Sequence, residues 1–493
     1  ETRYKKPAGI YWMQAGLIRF AQKLGFDNAP QVIGLYRLPS LMGALLAVVL
    51  TGLIGARLLG AQQGFVAGLL MASCLLLNVE ARLAKTDAAL LATILCCVLV
   101  YAKAYVRSGL PKPLKFKDVL LFWIALGLGF LIKGPVILLA VVGLPLALKI
   151  MGEGFGWLAP LRPAFGLPLA LLITLPWFVA IGLRSQGAFF KEAAGHDLLA
   201  KIWQGQNWGG APPGYYVVLS WATLWPASLP VWLSLPWAWK NRRMPSLKFL
   251  LAWAIPLWVV FELVFTKLPH YVLPAYPALA LLAAGWLLQM DHEGRPPQLW
   301  RRAVLAIWGT VSAFLCLVPA ILPVFAESQI FFFPIFFSGL ALGFALAALQ
   351  LLRRDRRKFA PLPLAMAGAI LAFAIFHFLF NDMPSVFVSA RLAEKLSPPG
   401  NCTRTTLAIA GYSEPSLVFL AGADTKLLPR GEDVALALSA DPCLTAAVSD
   451  DQLTSFKETL DGLGARADEA AEIKGFNYAR GKPVDITLYT AQQ

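Results

Sequence analysis

The run LPSLMGALLAVVLTGLIGARL, from residue 38 to residue 58, decides the fold class. It contains a single charged residue, Arg57, and its length lies within the roughly 17 to 25 apolar residues that cross a bilayer as a helix. Eleven further apolar runs of similar character predict about twelve spans in all. These runs cover residues 64–77, 88–105, 119–132, 135–148, 165–181, 215–237, 249–265, 272–288, 303–324, 330–352 and 362–379.

The overall composition agrees with an all-α polytopic membrane domain. Of 493 residues, 58% are hydrophobic and 14% are charged, against roughly 25% charged in a soluble domain, and the mean hydropathy is +0.63. The formal net charge of +15 is concentrated in short loops between apolar runs. That distribution is typical of membrane orientation, so we expect no nucleic-acid partner.

The loops after the third, seventh, ninth and eleventh spans are basic and fall on one side of the membrane, which the positive-inside rule makes cytoplasmic. Their cations are Arg107, Lys112, Lys115 and Lys117; Lys240, Arg242 and Arg243; Arg295, Arg301 and Arg302; and Arg353, Arg354, Arg356, Arg357 and Lys358. Residues 1–36 and the C-terminal tail are therefore expected outside, in the periplasm of a bacterial inner membrane. An external start predicts an earlier first span that this sequence lacks, with a cleaved signal peptide as the alternative.

The tail, residues 381–493, changes to a polar composition and predicts a small soluble periplasmic α/β domain. The run TLAIA from Thr406 and the run DITLY from Asp485 are typical of strands, and residues 451–463 have helical spacing. Cys402 and Cys443 lie outside the predicted spans, where they either pair in an oxidising compartment or remain two free thiols. The predicted domains are an interfacial segment at 1–33, a transmembrane domain at 34–380 and this tail.

Few ionisable residues are expected on the external side, and most of them are cations. Lys6 precedes an aromatic-rich interfacial helix that contains Tyr11, Lys133 interrupts two apolar runs, and Asp87 opens the third span. External loops add Arg184, Lys191, His196 and Lys201, and then Lys267, His270 and Tyr271. Such a set suits an anionic group at headgroup depth, such as a lipid-linked phosphate.

Each of these residues also has a purely structural interpretation. Lys133 can end a helix and extend to the interface, Asp87 can cap a helix, and His196 can be an ordinary interfacial histidine. The sequence leaves those alternatives open.

Seven pieces of sequence, in order, resemble motifs of the GT-C glycosyltransferases of the protein O-mannosyltransferase-like superfamily, and most closely the aminoarabinose transferases that modify lipid A. They are KKPAGIYWM at 5–13, YRLPS at 36–40, AKTDA at 84–88, LIKGP at 131–135, LPWF at 175–178, PGYY at 213–216 with His196 and Lys201 before it, and KLPHYVLP at 267–274. The resemblance implies an inverting membrane glycosyltransferase with a polyprenyl (undecaprenyl) phosphate-sugar donor. It also implies an acceptor that is a lipid A-like glycolipid or another envelope molecule.

The resemblance also implies roles for individual residues. Lys6, Lys133 and Lys201 would bind the donor phosphate, Tyr271 would lie near it, and Asp87, the candidate catalytic residue, would lie in the acceptor cavity. We add Arg184 and Lys267 to the phosphate-binding set because they share the predicted face, and we keep His196 and Tyr11 as substrate or metal candidates.

Two departures from the family pattern limit these assignments. The family's Asp-Glu-x-x-Arg loop, which carries its leading catalytic carboxylate, would precede Glu1, so the general base is not named. Lys5 stands where relatives have a Glu that helps a His bind a divalent metal, which makes a metal cofactor doubtful.

Two other functions fit the same spans and cations. A transporter or flippase of an anionic lipid is one, although the sequence shows neither the repeats nor the broken-helix pairs typical of transporters. An oligosaccharide ligase that uses a diphosphate-linked donor is the other.

Overall fold

The computed structural model describes residues 6–106, 114–192, 211–288, 295–381, 383–400, 402–477 and 481–492. The chain divides into two compact units, and the residues of each unit mainly contact one another. One unit comprises Glu1–Leu317 and Phe336–Phe373, and the other comprises Val318–Ile335 and Ala374–Gln493. The sequence predicts that the chain leaves the membrane and the soluble tail begins at residue 381. That boundary stays a prediction.

The chain up to residue 381 is helical in the described ranges. Its helices are α1 (Gly9–Lys23), α2 (Ile33–Leu58), α3 (Ala61–Ala72), α4 (Leu75–Ala81), α5 (Asp87–Val106), α6 (Phe116–Lys133), α7 (Val136–Ile150), α8 (Pro163–Arg184), α9 (Ala188–Phe190), α10 (Tyr215–Thr223), α11 (Ser228–Lys240), α12 (Pro245–Leu263), α13 (Tyr276–Leu288), α14 (Gln298–Glu327), α15 (Phe332–Arg353) and α16 (Pro361–Phe373). Short 3-10 segments cover Ala29–Gln31, Gly156–Leu161, Pro269–Ala275, Arg357–Phe359 and Pro384–Val386, and a π-helical turn covers Ala374–Leu379.

Helices occupy all twelve places where the sequence predicts spans. By length and composition, eight of the described helices can cross a membrane, or nine if α3 and α4, which are bent by 63°, form one span. The other three places differ for identifiable reasons. The 18 residues of α6 include Lys117, Asp118 and Lys133, α7 has only 15 residues, and the predicted span 215–237 is interrupted between α10 and α11. The chain is a multi-pass membrane protein.

Helices α5 and α6 run antiparallel and are joined near both ends by ion pairs. Lys103, near the end of α5, binds Asp118, near the start of α6, at 2.7 Å. At the other end, Lys133 Nζ lies 2.5 Å from Asp87 Oδ1. In both pairs the lysine side chain is 18% exposed and the aspartate 8%, so each charge is largely removed from solvent and compensated by its partner.

A glycine brings α2 against the start of α5. A Cβ at Gly43 would lie 2.7 Å from the carbonyl group of Ala88, a distance that no side chain can occupy without movement of the backbone. Ser40, on the same helix, donates a hydrogen bond to the Lys85 carbonyl oxygen at 2.8 Å. The segment that leads into Asp87 is therefore fixed from one side by α2.

The tail forms the predicted α/β domain. Its strands are β1 (Thr406–Ala410), β2 (Lys426–Leu427), β3 (Leu444–Ser449), β4 (Ala467–Asn477) and β5 (Lys482–Ala491), and its helices are α17 (Val388–Lys395), α18 (Pro415–Ala421), α19 (Gly431–Ala440) and α20 (Asp450–Gly462). The sheet order is β2-β1-β3-β5-β4, with β1 parallel to β2 and β3, and β5 antiparallel to β3 and β4.

Alternation along β1 separates two hydrophobic cores, because successive strand residues point to opposite faces of a sheet. Ala408 and Ala410 pack with α19 and α20, whereas Leu407 and Ile409 pack with α17 and α18. The domain is thus a sheet covered on both faces. Both strand predictions and the helix prediction at 451–463 are confirmed to within a few residues.

Cys402 and Cys443 form a disulfide, which settles the alternative of two free thiols. The four other cysteines lie in or beside the membrane helices and are free.

Candidate functional site

The first part of the candidate site is the junction between the KKPAGIYWM and LIKGP motifs. Helix α6 ends at Lys133, because Gly134 adopts a φ of +65°, which leaves the helical conformation and which glycine adopts readily. The Pro7 ring lies beside Gly134, and a Cβ at Gly9 would lie 2.6 Å from the Leu131 carbonyl oxygen. The start of α1 therefore packs directly on the end of α6, which places Lys6 next to the α6 terminus.

The second part is the carboxylate of Asp87, which begins α5. Its Oδ1 accepts the hydrogen bond from Lys133 Nζ described above, and His270 Nε2 lies 3.6 Å from the same oxygen. Asp87 and Lys133 therefore pair with each other at the start of α5 and the end of α6, and their roles toward a donor or acceptor stay predictions. The two residues form a buried pair that His270 contacts from a third segment.

A second acid, Glu80 on α4, lies on the other side of the histidine ring. Its Oε1 is 3.6 Å from His270 Nδ1, and the Glu80 side chain is 3% exposed. The other oxygen, Oε2, is buried and has no hydrogen-bond partner within the described ranges. His270 is thus flanked by a carboxylate at each ring nitrogen.

Two further lysines are close enough to interact electrostatically with this group. Lys6 interacts with Asp87, Glu80 and His270, and Lys85 interacts with Glu80 and His270. Both are exposed, whereas the carboxylates are buried. We call Lys6, Lys85, Lys133, Glu80, Asp87 and His270 the lysine–carboxylate cluster.

Tyr271 lies beside Lys133, and its position near a donor phosphate stays a prediction. Lys133 Nζ is 5.4 Å from the centre of the Tyr271 ring, within the range of a cation–π interaction. The KLPHYVLP motif that carries Tyr271 also meets the PGYY motif, because Tyr216 Oη donates to the Leu268 carbonyl oxygen at 3.1 Å.

Side-chain hydrogen bonds to the backbone hold the PGYY segment against the end of α12. Glu262, near the end of α12, accepts hydrogen bonds from the backbone amides of Gly214 and Tyr216 at 3.0 Å each, where a carboxylate suits the start of α10. Lys267 Nζ donates to the carbonyl oxygens of Ala211 (2.8 Å) and Val264 (3.0 Å). Two of its three ammonium hydrogens are thereby used within the protein, and its phosphate-binding role stays a prediction.

The remaining candidates lie elsewhere. Arg184 is exposed at the end of α8, and Tyr11 is 55% exposed on α1. Within the described ranges, no hydrogen bond or ion pair joins either of them to the lysine–carboxylate cluster. His196 and Lys201 lie outside the described residues, as does most of the loop that contains them.

Sequence reasoning did not single out Glu80 or Lys85, and it counted His270 among the external ionisable residues without giving it a role. Each carried a signal: Glu80 is an isolated acid after an apolar run, and Lys85 and His270 lie inside the AKTDA and KLPHYVLP motifs. The described residues can also be examined for a metal-binding group. In the part of the chain that the structure describes, no three His, Cys, Asp or Glu side chains are grouped so as to hold a metal ion.

The family model of dolichyl-phosphate-mannose-protein mannosyltransferases matches residues 5–179. Among curated proteins, the chain is 28% identical to an undecaprenyl phosphate-alpha-4-amino-4-deoxy-L-arabinose arabinosyl transferase of Pseudomonas fluorescens, over 64% of this chain and 55% of that protein. It is 27% identical to a Pseudomonas aeruginosa protein of the same name, over 79% of this chain and 70% of that one. The chain therefore spans between about half and seven tenths of these relatives' length.

Among solved structures, the chain is similar to that of ArnT from Cupriavidus metallidurans bound to undecaprenyl phosphate. The TM-score is 0.69 with 19% identity, over 98% of this chain and 88% of that one. The apo form of the same protein gives a TM-score of 0.68 with 19% identity. At this identity the likeness establishes the fold.

Proposed function

We propose a function from the premise that this chain belongs to the GT-C glycosyltransferases of the protein O-mannosyltransferase-like superfamily. From that premise, it transfers a sugar from a polyprenyl-monophosphate donor to an envelope acceptor. The names of the curated relatives and the ligand of the solved ArnT structure favour undecaprenyl phosphate as the carrier. We take a lipid A-like glycolipid as the first acceptor to test.

The observation that carries this proposal is the lysine–carboxylate cluster. Ionisable groups at the ends of apolar helices are costly unless they pair with one another or serve a ligand. Here three lysines lie among two carboxylates, and the two exposed lysines, Lys6 and Lys85, border the buried Asp87–Lys133 pair. The excess of positive charge at the membrane boundary suits the phosphate of a lipid-linked donor.

The chemistry follows from where charge develops. An acceptor oxygen attacks the anomeric carbon while the bond from that carbon to the phosphate oxygen breaks, and the electron pair leaves with polyprenyl phosphate. Attack from the opposite face inverts the configuration. Lys133 and Lys6 stabilise the negative charge that grows on the leaving phosphate, and because they are already in place, little reorganisation is needed.

Asp87 has two uses in this scheme. Its bond to Lys133 holds that ammonium group at a fixed position, and its carboxylate can accept a proton from an acceptor hydroxyl. An acceptor phosphate already carries an anionic nucleophile and needs no base.

The proposed reaction takes place on the periplasmic side of the inner membrane. The support is electrostatic, because the basic loops lie at the opposite helix ends from the cluster. Asp87 begins α5 and Lys133 ends α6, whereas Lys103 ends α5 and the basic residues Lys115 and Lys117 lie at the start of α6. Cytoplasmic loops collect such cations.

The structure offers a matched pair of variants for the test. Asp87→Asn removes the charge at the cluster, and Asp118→Asn removes an equally buried partner of a lysine at the opposite ends of the same two helices. We expect Asp87→Asn to reduce release of undecaprenyl phosphate from an undecaprenyl-phosphate sugar by roughly 100-fold or more. Asp118→Asn should reduce it less than threefold.

The assay uses the full chain in lipid nanodiscs, with Kdo2-lipid A as acceptor and a parallel reaction that contains an undecaprenyl-diphosphate sugar. Turnover of only the diphosphate donor would indicate the ligase alternative and overturn the proposal. An equal loss in the two variants would mean that Asp87 serves only to join α5 to α6.

A further inference from the structure

A cavity lies at the opposite end of the membrane domain from the lysine–carboxylate cluster. The span Pro269–Leu288 carries His270 near its start and Trp286 near its end, 16 residues later and about 24 Å away at 1.5 Å per residue. Here a cavity of about 220 Å³ is lined by Leu233, Trp286, Arg295, Arg301, Asp355 and Arg357, among others. It is separate from the proposed transfer site and does not depend on that proposal.

Arg357 is the buried element of this cavity. It is 8% exposed, and its guanidinium lies over the Trp286 ring at 5.0 Å. Nε donates to Asp355 Oδ1 at 3.2 Å, but Nη1 is buried without a hydrogen-bond acceptor in the described ranges. A buried donor without a partner costs free energy, so a ligand acceptor at this position would stabilise the protein.

The other two arginines approach from the segment that precedes and begins α14. Arg295 Nη2 lies 2.6 Å from Asp355 Oδ2, and its side chain is 63% exposed. Arg301 Nη2 donates to the carbonyl oxygens of Leu352 and Arg353 at 3.0 and 2.7 Å. These bonds engage one of the three guanidinium nitrogens of Arg301, and the same side chain lines the cavity.

The charges of the lining residues that the structure describes do not cancel. Burial acts to raise the pKa of Asp355, but hydrogen bonds and charge from Arg295 and Arg357 outweigh it and hold that pKa below the ordinary value. Asp355 is therefore anionic at neutral pH. Among the described lining residues, it offsets one of three guanidinium charges.

We propose that this cavity binds a phosphate oxyanion, either the headgroup of an anionic phospholipid or a soluble phosphate. Guanidinium groups match the geometry of phosphate oxygens and bind them through two parallel hydrogen bonds. Basic pockets between transmembrane helices on the cytoplasmic side are suited to anionic headgroups. The volume is below the roughly 300–1,000 Å³ of sites for drug-sized ligands, so it suits one headgroup.

The test compares three variants of the full chain. Arg357→Gln removes the buried donor, and Arg295→Gln removes a more exposed guanidinium of the lining if the first variant does not fold. Arg242→Gln is the control, because Arg242 lies in another basic loop on the same side and stacks on Trp239, outside the cavity. Each protein is placed in nanodiscs of phosphatidylcholine with one fifth phosphatidylglycerol, and retained lipids are counted by native mass spectrometry.

We expect the unsubstituted chain and Arg242→Gln to retain one phosphatidylglycerol, and Arg357→Gln or Arg295→Gln to lose it by tenfold or more. A parallel series in detergent measures thermal unfolding with inorganic phosphate and with chloride at equal ionic strength. A phosphate-specific rise in the unfolding temperature that the cavity variants lack, without lipid retention, would assign the site to soluble phosphate. If neither readout separates the cavity variants from Arg242→Gln, the proposal is wrong.

Discussion

Lys6 is the residue whose role the structure makes easiest to isolate. It is exposed, so its replacement leaves no buried cavity, yet it lies within electrostatic range of Asp87 and Glu80. Lys6→Ala should lower the turnover number for sugar transfer roughly 100-fold, because the lysine interacts with charge that grows in the transition state. Turnover is measured at saturating donor in nanodiscs.

The control for this substitution lies on the adjoining helix. Lys23 is exposed at the end of α1, at the far end of that helix from the cluster, and Lys23→Ala should leave turnover within twofold of the unsubstituted chain. If Lys6→Ala behaves like Lys23→Ala, the donor phosphate is bound elsewhere.

At the scale of elements, the contact between α1 and α6 decides where Lys6 lies. Gly9→Ala would place a methyl group 2.6 Å from the Leu131 carbonyl oxygen, and such overpacking costs about 1–3 kcal/mol. Because α1 must move to relieve the clash, we expect transfer activity to fall at least tenfold. The midpoint of thermal unfolding should fall as well.

Gly16 provides the comparison within the same helix. A Cβ at Gly16 meets nothing within 4 Å, so Gly16→Ala has the same gain in helix propensity without a clash. Its activity should be unchanged and its stability equal or slightly higher. Equal effects of the two alanines would show that the α1–α6 contact does not position the site.

At the scale of the whole molecule, the disulfide between Cys402 and Cys443 stabilises the tail domain. The bond joins residues 41 positions apart, and closing a loop of that size contributes about 4 kcal/mol by restricting the unfolded chain. Cys402→Ser combined with Cys443→Ser should therefore lower the denaturant midpoint of the tail, measured by pulse proteolysis of the full chain. Cys96→Ser, at a free cysteine within α5, should leave that midpoint unchanged.

The orientation of the whole chain is tested by labelling from outside the cell. Ala188 and Arg243 are both exposed, and the distribution of basic loops predicts that they lie on opposite sides of the membrane. Ala188→Cys should react with a membrane-impermeant maleimide in intact spheroplasts, and Arg243→Cys should react only after permeabilisation. The unsubstituted chain gives the background of the native thiols, and the reverse pattern would invert the topology.

The sequence by itself determined the membrane class, the positions of the helices and the α/β character of the tail. Insertion of a helix depends on the summed hydrophobicity of about 20 neighbouring residues, which is local information. The same locality explains why α6 was found despite its three charges, since the apolar residues between them dominate the sum.

Only the tertiary structure decided how the charged residues combine. Asp87 and Lys133 are 46 residues apart and meet because α5 and α6 pack antiparallel, and Glu80 and His270 join them from two other segments. The sequence placed Lys133, Arg184 and Lys267 together as cations on one face. In the folded protein, Lys133 pairs with a carboxylate, Lys267 donates to backbone carbonyl oxygens, and Arg184 lies at an exposed helix end. The sequence does not show these partners, because the partner of a side chain depends on which helices become neighbours.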